Sequence, residues 1–464
     1  MEVKYVDVAI IGGGTAGMSA YKNAIKYTNN VVLIEGGKFG TTCAKVGCMP
    51  SKLLISAADA AHSIKNFSKF GLELEGKLVV NGKKVMERVK SERDRFVGFV
   101  LESIDNIKEE NIIRGYAKFI DNNTIKVDNN IIKAKSIVIA TGSASFIPPF
   151  LKDLGDKLIT SDDVFYWDDL PKSVAVFGSG VIGLEIGQAL SHLGVKVKMF
   201  GRGGVIGPLS DPKILEYSKK AFSEDFYLDN DMEISAQVSR KGHNVLIKYI
   251  DKSGKEQEDQ FEYVLAATGR KADFSKLDIQ NTDLKLDDKG VPISDKYTNQ
   301  CGNSSIFIAG DSSNNMPLLH IAADEGATAG KNSANFPNIE NGKRSANIGI
   351  VFTDPQIAVV GKTYKELKDI DYSIGEMSFE SQGRSRVMLK NKGLLHVYAD
   401  NKTGRFLGAE MIGPHVEHLA HLLAWSYQQE MTISKMLEMP FYHPVIEEGL
   451  RTALRDVNSK LENL

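Results

Sequence analysis

The chain has 464 residues, 42% hydrophobic and 25% charged, the make-up of an ordinary globular protein with room for about three domains at about 150 residues each. A formal net charge of −2 gives no global electrostatic reason to bind nucleic acid or an anionic membrane surface. Three cysteines, Cys43, Cys48 and Cys301, are too few for a disulfide-stapled scaffold, so any cysteine chemistry has to be local.

The N-terminus passes from Met1-Glu2-Val3-Lys4 into an apolar run without the basic region, apolar core and cleavage site of a targeting peptide. The greasiest later stretch, residues 418–427, is too short to span a membrane and is broken by His421, so the expectation is a soluble, cytoplasmic protein. Residues 6–11 read as a strand that ends in Gly12-Gly13-Gly14-Thr15-Ala16-Gly17. A helical segment follows, then a second apolar run, Val31-Val32-Leu33-Ile34, ending at Glu35. Strand, glycine turn, helix and strand of this length predict a dinucleotide-binding unit. Gly12 permits the tight turn, Gly14 lets the backbone approach a pyrophosphate, Gly17 allows close helix packing, and Glu35 is placed to accept hydrogen bonds from a ribose.

Cys43 and Cys48 come almost directly after this unit. On a regular helix, residues five apart have Cα atoms roughly 8 to 9 Å apart, beyond the roughly 7 Å limit for a disulfide. A bond between them needs a distorted turn, which Gly47 eases, and strained or exposed disulfides tend to be the reducible ones. The spacing favours a redox switch over a staple. Inert thiols, half of a zinc site and a structural disulfide are the competing readings. Zinc is disfavoured because no further cysteine or histidine pair lies at ligand spacing nearby.

The glycine pattern recurs. Ser136–Ile139 closes in Ala140-Thr141-Gly142; Val174-Ala175-Val176-Phe177 leads into Gly178-Ser179-Gly180-Val181-Ile182-Gly183, a helix and a strand through Val195 to Phe200; Tyr263–Ala266 closes in Ala267-Thr268-Gly269. Two such units predict two dinucleotides, since one unit cradles one pyrophosphate. A dithiol beside them supplies a third station on an electron path. Residues 305–309 then reach Gly310-Asp311, a strand end with a carboxylate suited to a cofactor hydroxyl. Residues 332–347 are polar and read as the last boundary. Beyond about 345, alternating strands such as His396–Ala399 and amphipathic helices predict a third domain without a nucleotide fingerprint. His415, His418 and His421 recur every third residue and read as a helix face, with no acid set to complete a metal shell.

Thr42-Cys43 through Val46-Gly47-Cys48-Met49-Pro50-Ser51-Lys52, both glycine fingerprints, both Ala-Thr-Gly echoes, Gly310-Asp311, Val351-Phe352-Thr353-Asp354-Pro355 and His443-Pro444-Val445-Ile446-Glu447-Glu448 together resemble the class I pyridine nucleotide–disulfide oxidoreductases, in order along the whole chain. The resemblance implies an α/β fold with two Rossmann-like domains and a C-terminal α+β dimerisation domain. It implies FAD in residues 1–145 and 271–343, NAD(P) in 146–270, and a homodimer formed through 344–464. Carried over by position, Cys43 is the interchange thiol, Cys48 the thiol beside the flavin, His443 the acid/base from the partner subunit, and Glu448 its orienting acid. Thr42, Lys52, Ala117, Thr141, Gly142, Asp311, Leu319 and His320 join Gly12, Gly14, Gly17 and Glu35 around FAD. Gly178, Gly180, Gly183, Glu185, Arg202 and Gly269 belong to the NAD(P) side, with Glu185 paired to Lys52. Zinc and other metals are not expected.

Within the family, Val181, the Leu319-His320 pair and Gly413-Pro414 resemble dihydrolipoyl dehydrogenases, which implies a small dithiol substrate or a lipoyl domain as partner. No cysteine stands near the C-terminal Asn458–Leu464, which disfavours members with a C-terminal redox pair. Val181 stands where glutathione reductases carry a tyrosine, and acids occupy the stretch 318–326. Ala44-Lys45 and Thr41 depart from the dehydrogenase pattern. So does Phe200-Gly201-Arg202, where the acid that would hold a ribose 2′-hydroxyl is absent and a cation suited to a 2′-phosphate is present, favouring NADP(H) over NAD(H). An NADPH-dependent reductase of another disulfide, a quinone or a metal ion is the alternative enzyme. A redox-sensing or complex-docking flavoprotein is the non-enzymatic one.

Overall fold

A computed structural model describes residues 2–232 and 237–461, which form two compact units. The first comprises Met1–Pro50, Ser91–Phe146 and Arg270–Ser345. Its sheet runs Ile112–Arg114, Val31–Glu35, Glu2–Ile11, Asn130–Ile139, Thr124–Val127, Ala117–Asp121, with Ile306–Ile308 also paired to Asn130–Ile139. The pairs at the glycine-turn end are parallel, Ile10 against Leu33 and against Val138. Parallel strands covered on both faces need apolar residues at successive positions. Val8 and Ile10 accordingly face a core with Ala16, Ala20 and Ala329, while Ala9 and Ile11 face one with Phe119, Ile125 and Ile306. The alanines matter because helices Thr15–Ala24 and Leu319–Asn335 cross closely: a Cβ at Gly326 or Gly330 would overlap the carbonyl of Ala16 or Ala20.

The second unit comprises Ser51–Lys90, Ile147–Gly269 and Ala346–Leu464. It repeats the parallel motif in a sheet ordered Tyr227–Asp229, Lys196–Phe200, Ser173–Phe177, Tyr263–Ala266, Leu158–Ile159, with helix Val181–His192 after the second glycine turn. An antiparallel three-stranded sheet, Gln237–Lys241, Asn244–Ile250 and Glu256–Phe261, is inserted before its last long strand. The C-terminal sheet is antiparallel, ordered Ile348–Val351, Gln356–Gly361, Phe406–Gly413, Leu394–Asp400, Tyr372–Ser378, and carries helices Val416–Gln428 and Glu448–Leu461 on a core that includes Val397, Met411, Leu419, Leu423 and Leu454. The α/β architecture with an α+β C-terminal part is the one the sequence implied.

The polar run 332–347 is not simply a connector. Its first four residues are the last turn of helix Leu319–Asn335, and Asn332, 1% exposed, donates to the carbonyls of Thr298 and Glu340. A buried amide used as a brace has the same composition as a solvated linker, and the sequence does not separate the two. No helix among the described residues is long and apolar enough to cross a membrane.

Candidate active site

Both glycine turns are built alike. Gly12 (φ +108°) and Gly178 (φ +112°) take the left-handed conformation, and a Cβ on either would overlap the carbonyl of Ala140 or Ala267, the first residue of each Ala-Thr-Gly echo. Gly17 and Gly183 press on the carbonyls of Gly12 and Gly178. Gly14 and Gly180 differ: each caps its helix in extended conformation with no side-chain cap, and a Cβ there meets nothing within 4 Å. Two helix N-termini thus present their N–H groups to open space, the arrangement that receives a phosphate group.

The surroundings of the first cradle suit a dinucleotide. Glu35 ends strand Val31–Glu35 and accepts from Gly13 N and Gly37 N, each at 2.7 Å, which fixes its carboxylate beside the turn. Asp311 lies in the turn Gly310–Ser313 and accepts from Ser143 Oγ at 2.7 Å. Arg270 donates to the same Ser143, through Nε to Oγ and Nη2 to the carbonyl, and this ties Gly142 (φ +74°) and exposed Thr141 to that turn. Leu319, 47% exposed, and His320 open helix Leu319–Asn335, and His320 Nε2 is buried without a hydrogen bond among the described residues. An open cradle, a fixed carboxylate and an orphaned buried nitrogen fit FAD. Ala117 is placed differently from its neighbours in the sequence reading: its side chain is 6% exposed and packed in the sheet core, so only its backbone is left to contact a ligand. Tyr116, 55% exposed and packed on Gly36 just past Glu35, went unread; the signal is an aromatic after Gly115 (φ +141°).

The thiols sit across a helix break. Helix Thr42–Val46 is capped by Thr41 Oγ, ends at Gly47, and gives way to helix Cys48–Ser63. A Cβ at Gly47 would lie 3.0 Å from the Thr42 carbonyl oxygen and 3.1 Å from Cys43 Cα, so glycine is what lets the chain fold back on Cys43. The break is a distorted turn of the kind that a Cys43–Cys48 bond would need. Thr42 and Cys48 are exposed and Cys43 half-buried, whereas Cys301 is 2% exposed and burial pushes its thiol up to about 12, which keeps it protonated.

Lys52 Nζ lies 2.7 and 2.8 Å from the two carboxylate oxygens of Glu185, which is 5% exposed on helix Val181–His192. Phe352 N donates to Glu185 Oε1 at 3.0 Å, and Lys52 Nζ stands 4.5 Å from the Phe352 ring centroid. At the second cradle Val181 is 40% exposed and Gly269 (φ +109°) leaves open space. Arg202 is exposed on the turn after strand Lys196–Phe200. Gly201 has no room for a side chain, with Ser179 Oγ and Asn230 Cα against it. Asp231 accepts from Gly203 N at 2.9 Å, an acid near Arg202 that comes from a segment 29 residues later and was not read from the sequence.

His443 and Glu448 meet within the C-terminal part. Nδ1 of His443 is 3.0 and 3.1 Å from the two Glu448 oxygens, and Val445 N also donates to Glu448. The hydrogen bond from His443 holds the Glu448 carboxyl below its ordinary pKa. The His443 side chain is otherwise 81% exposed, so Nε2 faces outward. His415, the N-cap of helix Val416–Gln428, and His418 bracket Glu417, and one ligand atom from each lies within 4.8 Å of the others. The acid missing from the sequence reading of these histidines is therefore Glu417, adjacent in sequence.

Residues 6–326 match the model of the pyridine nucleotide-disulphide oxidoreductase family, and residues 348–454 match that family's dimerisation domain. The chain is 28% identical to dihydrolipoyl dehydrogenase of Bacillus subtilis, over 96% of this chain and 97% of that one. It is 29% identical to mercuric reductase of Bacillus cereus, over 99% of this chain and 72% of the relative. LpdA of Mycobacterium tuberculosis superposes with a TM-score of 0.82 at 22% identity, covering 97% of this chain and 99% of that one. A Cu(II) complex of the HOCl-induced flavoprotein disulfide reductase RclA of Escherichia coli gives 0.81 at 22% identity, covering 98% and 99%.

Proposed function

The chain belongs to the pyridine nucleotide-disulphide oxidoreductase family, a flavin- and pyridine nucleotide-dependent enzyme family whose dimerisation domain makes the chain a homodimer, and on that premise we propose that it passes two electrons between a small dithiol of the dihydrolipoamide kind and NAD(P)+ through Cys43 and Cys48. The observation that carries this reading is the Gly47 break, which folds the chain back so that Cys48 begins a helix against the turn holding Cys43. We assign residues 1–145 and 271–343 to FAD, 146–270 to the nucleotide and 344–464 to the dimer contact.

In the dithiol-oxidising direction a substrate thiolate attacks Sγ of Cys43. The Cys43–Cys48 bond breaks as a mixed disulfide forms, and Cys48 leaves as the thiolate. The partner subunit's His443 takes the proton of the second substrate thiol. That sulfur then attacks the substrate sulfur held by Cys43, closing the substrate disulfide and releasing Cys43. With Nδ1 occupied by Glu448, Nε2 is the free base, and imidazole is the side chain suited to thiol chemistry near neutral pH. Lys52 and Glu185 hold a fixed charge pair, Glu35 and Asp311 would anchor cofactor hydroxyls, and the helix N-termini at Gly14 and Gly180 would bind pyrophosphates through backbone N–H groups. FAD, when bound, supplies the two-electron relay between the Cys48 side and the nicotinamide.

Steady-state assays of the holoenzyme with dihydrolipoamide and lipoamide against both nucleotide pairs test the substrate. Turnover with either pair is expected, and its absence with both removes the assignment. Cys48→Ser should abolish the long-wavelength absorbance gained on two-electron reduction; persistence of that band would reverse the order of the thiols. Exposed Arg202 favours NADP(H), and with it a second reading, an NADPH-dependent reductase of another disulfide, a quinone or a metal ion. Fast NADPH oxidation with such acceptors and little with lipoamide would establish that reading instead.

A further inference from the structure

Three side chains from remote segments meet at the far end of the helix that begins at Cys48. His62 lies in its last turn, His192 ends helix Val181–His192, and Asp225 follows helix Pro212–Ser223. The imidazole rings are in contact, with centroids 3.7 Å apart and planes tilted by 31°. His192 Nε2 is 3.0 Å from Asp225 Oδ2. One ligand atom from each of the three lies within 4.8 Å of the others. A tetrahedral ion with bonds of about 2.0–2.1 Å sets its ligands roughly 3.4 Å apart, so modest side-chain rotations close the shell.

The carboxylate is already oriented for this. Gln188, 3% exposed, donates to Asp225 Oδ2 at 3.0 Å while its amide is pinned to both the N–H and the carbonyl of Asp354. Ser191 Oγ donates to the Asp225 carbonyl. Outer hydrogen bonds of this kind are what fix the ligands of a metal centre. An ion pair alone explains His192 and Asp225, but it leaves His62 unexplained. His62 Nδ1 is buried without a hydrogen bond among the described residues. An imidazole with an orphaned nitrogen, in ring contact with a second imidazole beside a braced carboxylate, is placed as a metal ligand must be.

We propose that His62, His192 and Asp225 bind a divalent transition-metal ion of the zinc or copper(II) kind, at a site separate from the thiols. Two imidazoles and one carboxylate suit these ions rather than magnesium or calcium, which take oxygen ligands. Three protein ligands leave one position for water or a small anion. Because the ligands come from three segments, the ion binds the folded chain selectively and stabilises it.

The test uses FAD-loaded enzyme carrying Cys43→Ser and Cys48→Ser, so that the thiols cannot ligate. Equilibrium dialysis with Zn2+ alone and with Cu2+ alone should give binding lost by at least tenfold in His62→Gln and in His192→Gln. The Cu2+ paramagnetic resonance spectrum should show coupling to two nitrogens, reduced to one in His62→Gln. His62→Gln leaves the His192–Asp225 pair intact, so its melting temperature without metal should match the parent's, and added Zn2+ should raise the parent's alone. Unchanged affinity and spectrum in both variants would overturn the proposal. So would loss confined to His415→Gln, which belongs to the other group of three ligands among the described residues.

Discussion

The glycines of one turn do two different jobs, and single substitutions separate them. A Cβ at Gly17 would overlap the Gly12 carbonyl, whereas a Cβ at Gly14 meets nothing within 4 Å. Gly17→Ala should therefore destabilise the fold by about 3 kcal/mol as the helix is pushed off the strand, and Gly14→Ala should leave melting of the apoprotein within about 0.5 kcal/mol while lowering FAD occupancy on purification. Equal loss of stability in both would refute this division. At the second cradle, Arg202 and Asp231, which accepts from Gly203 N, bring opposite charges to one turn. If Arg202 meets a 2′-phosphate, Arg202→Ala raises the NADPH KM about tenfold with little change for NADH; an equal effect on both would make it a surface residue. The residues required by backbone geometry were legible in the sequence because glycine's demand is local. Asp231, Asn230 and Ser179 were not, because what pins residues 201–207 comes from strand ends that only the sheet brings together.

Elements are joined inside the second unit by a buried histidine that carries no part in the proposed chemistry. His396 on strand Leu394–Asp400 is 4% exposed, with Nδ1 2.6 Å from Asp211 Oδ2 and Nε2 2.9 Å from Glu376 Oε2. Asp211 is itself the N-cap of helix Pro212–Ser223 and accepts from Tyr398 OH, and Glu376 also receives Lys213. With a carboxylate at each nitrogen the ring is an imidazolium. Burial opposes that charge, but Asp211 and then Glu376 outweigh it and raise the His396 pKa; against burial, His396 lowers the Asp211 carboxyl, and Lys213 and then His396 lower that of Glu376. The raised histidine contributes stability that is complete below its unfolded pKa of about 6.5 and is lost as pH rises through the folded value. The acids contribute stability above their unfolded values near 4 and lose it on acidification. Stability relative to His396→Gln should therefore peak between about pH 5 and 6.5 and decline on the alkaline side; a difference in melting temperature that is flat from pH 6 to 9 would contradict it. Removing one partner of such a cluster costs roughly 3 kcal/mol. The alternating pattern around His396–Ala399 announced the strand, but the partners are two carboxylates remote in sequence, and no periodicity reports them.

At the scale of the molecule, the dimerisation domain leaves large apolar side chains uncovered in a single chain. Trp425 is 68% exposed and Leu422 40% on helix Val416–Gln428, with Tyr442 at 79% and Met439 at 41% near His443. Exposed apolar groups within a region matched to a dimerisation domain are the ones a contact between subunits would cover. The sequence made the helix legible through its apolar stripe, yet Trp425 and Leu423 look alike there; only the fold shows that Leu423 is fully buried and Trp425 is not. Because the proposed base is supplied by the partner subunit, catalysis and association are coupled. Trp425→Glu would place a charge in an apolar contact, so sedimentation should show monomer at concentrations where the parent is dimeric, and specific activity should fall with dilution along the same curve. His443→Gln should lose activity at every concentration while remaining dimeric. Mixing these two inactive proteins adds a sharper constraint: a heterodimer offers one site with an intact histidine, so activity should return only to the extent that association does. Activity that survives in monomeric Trp425→Glu would place the base within the same chain and sink the two-subunit arrangement.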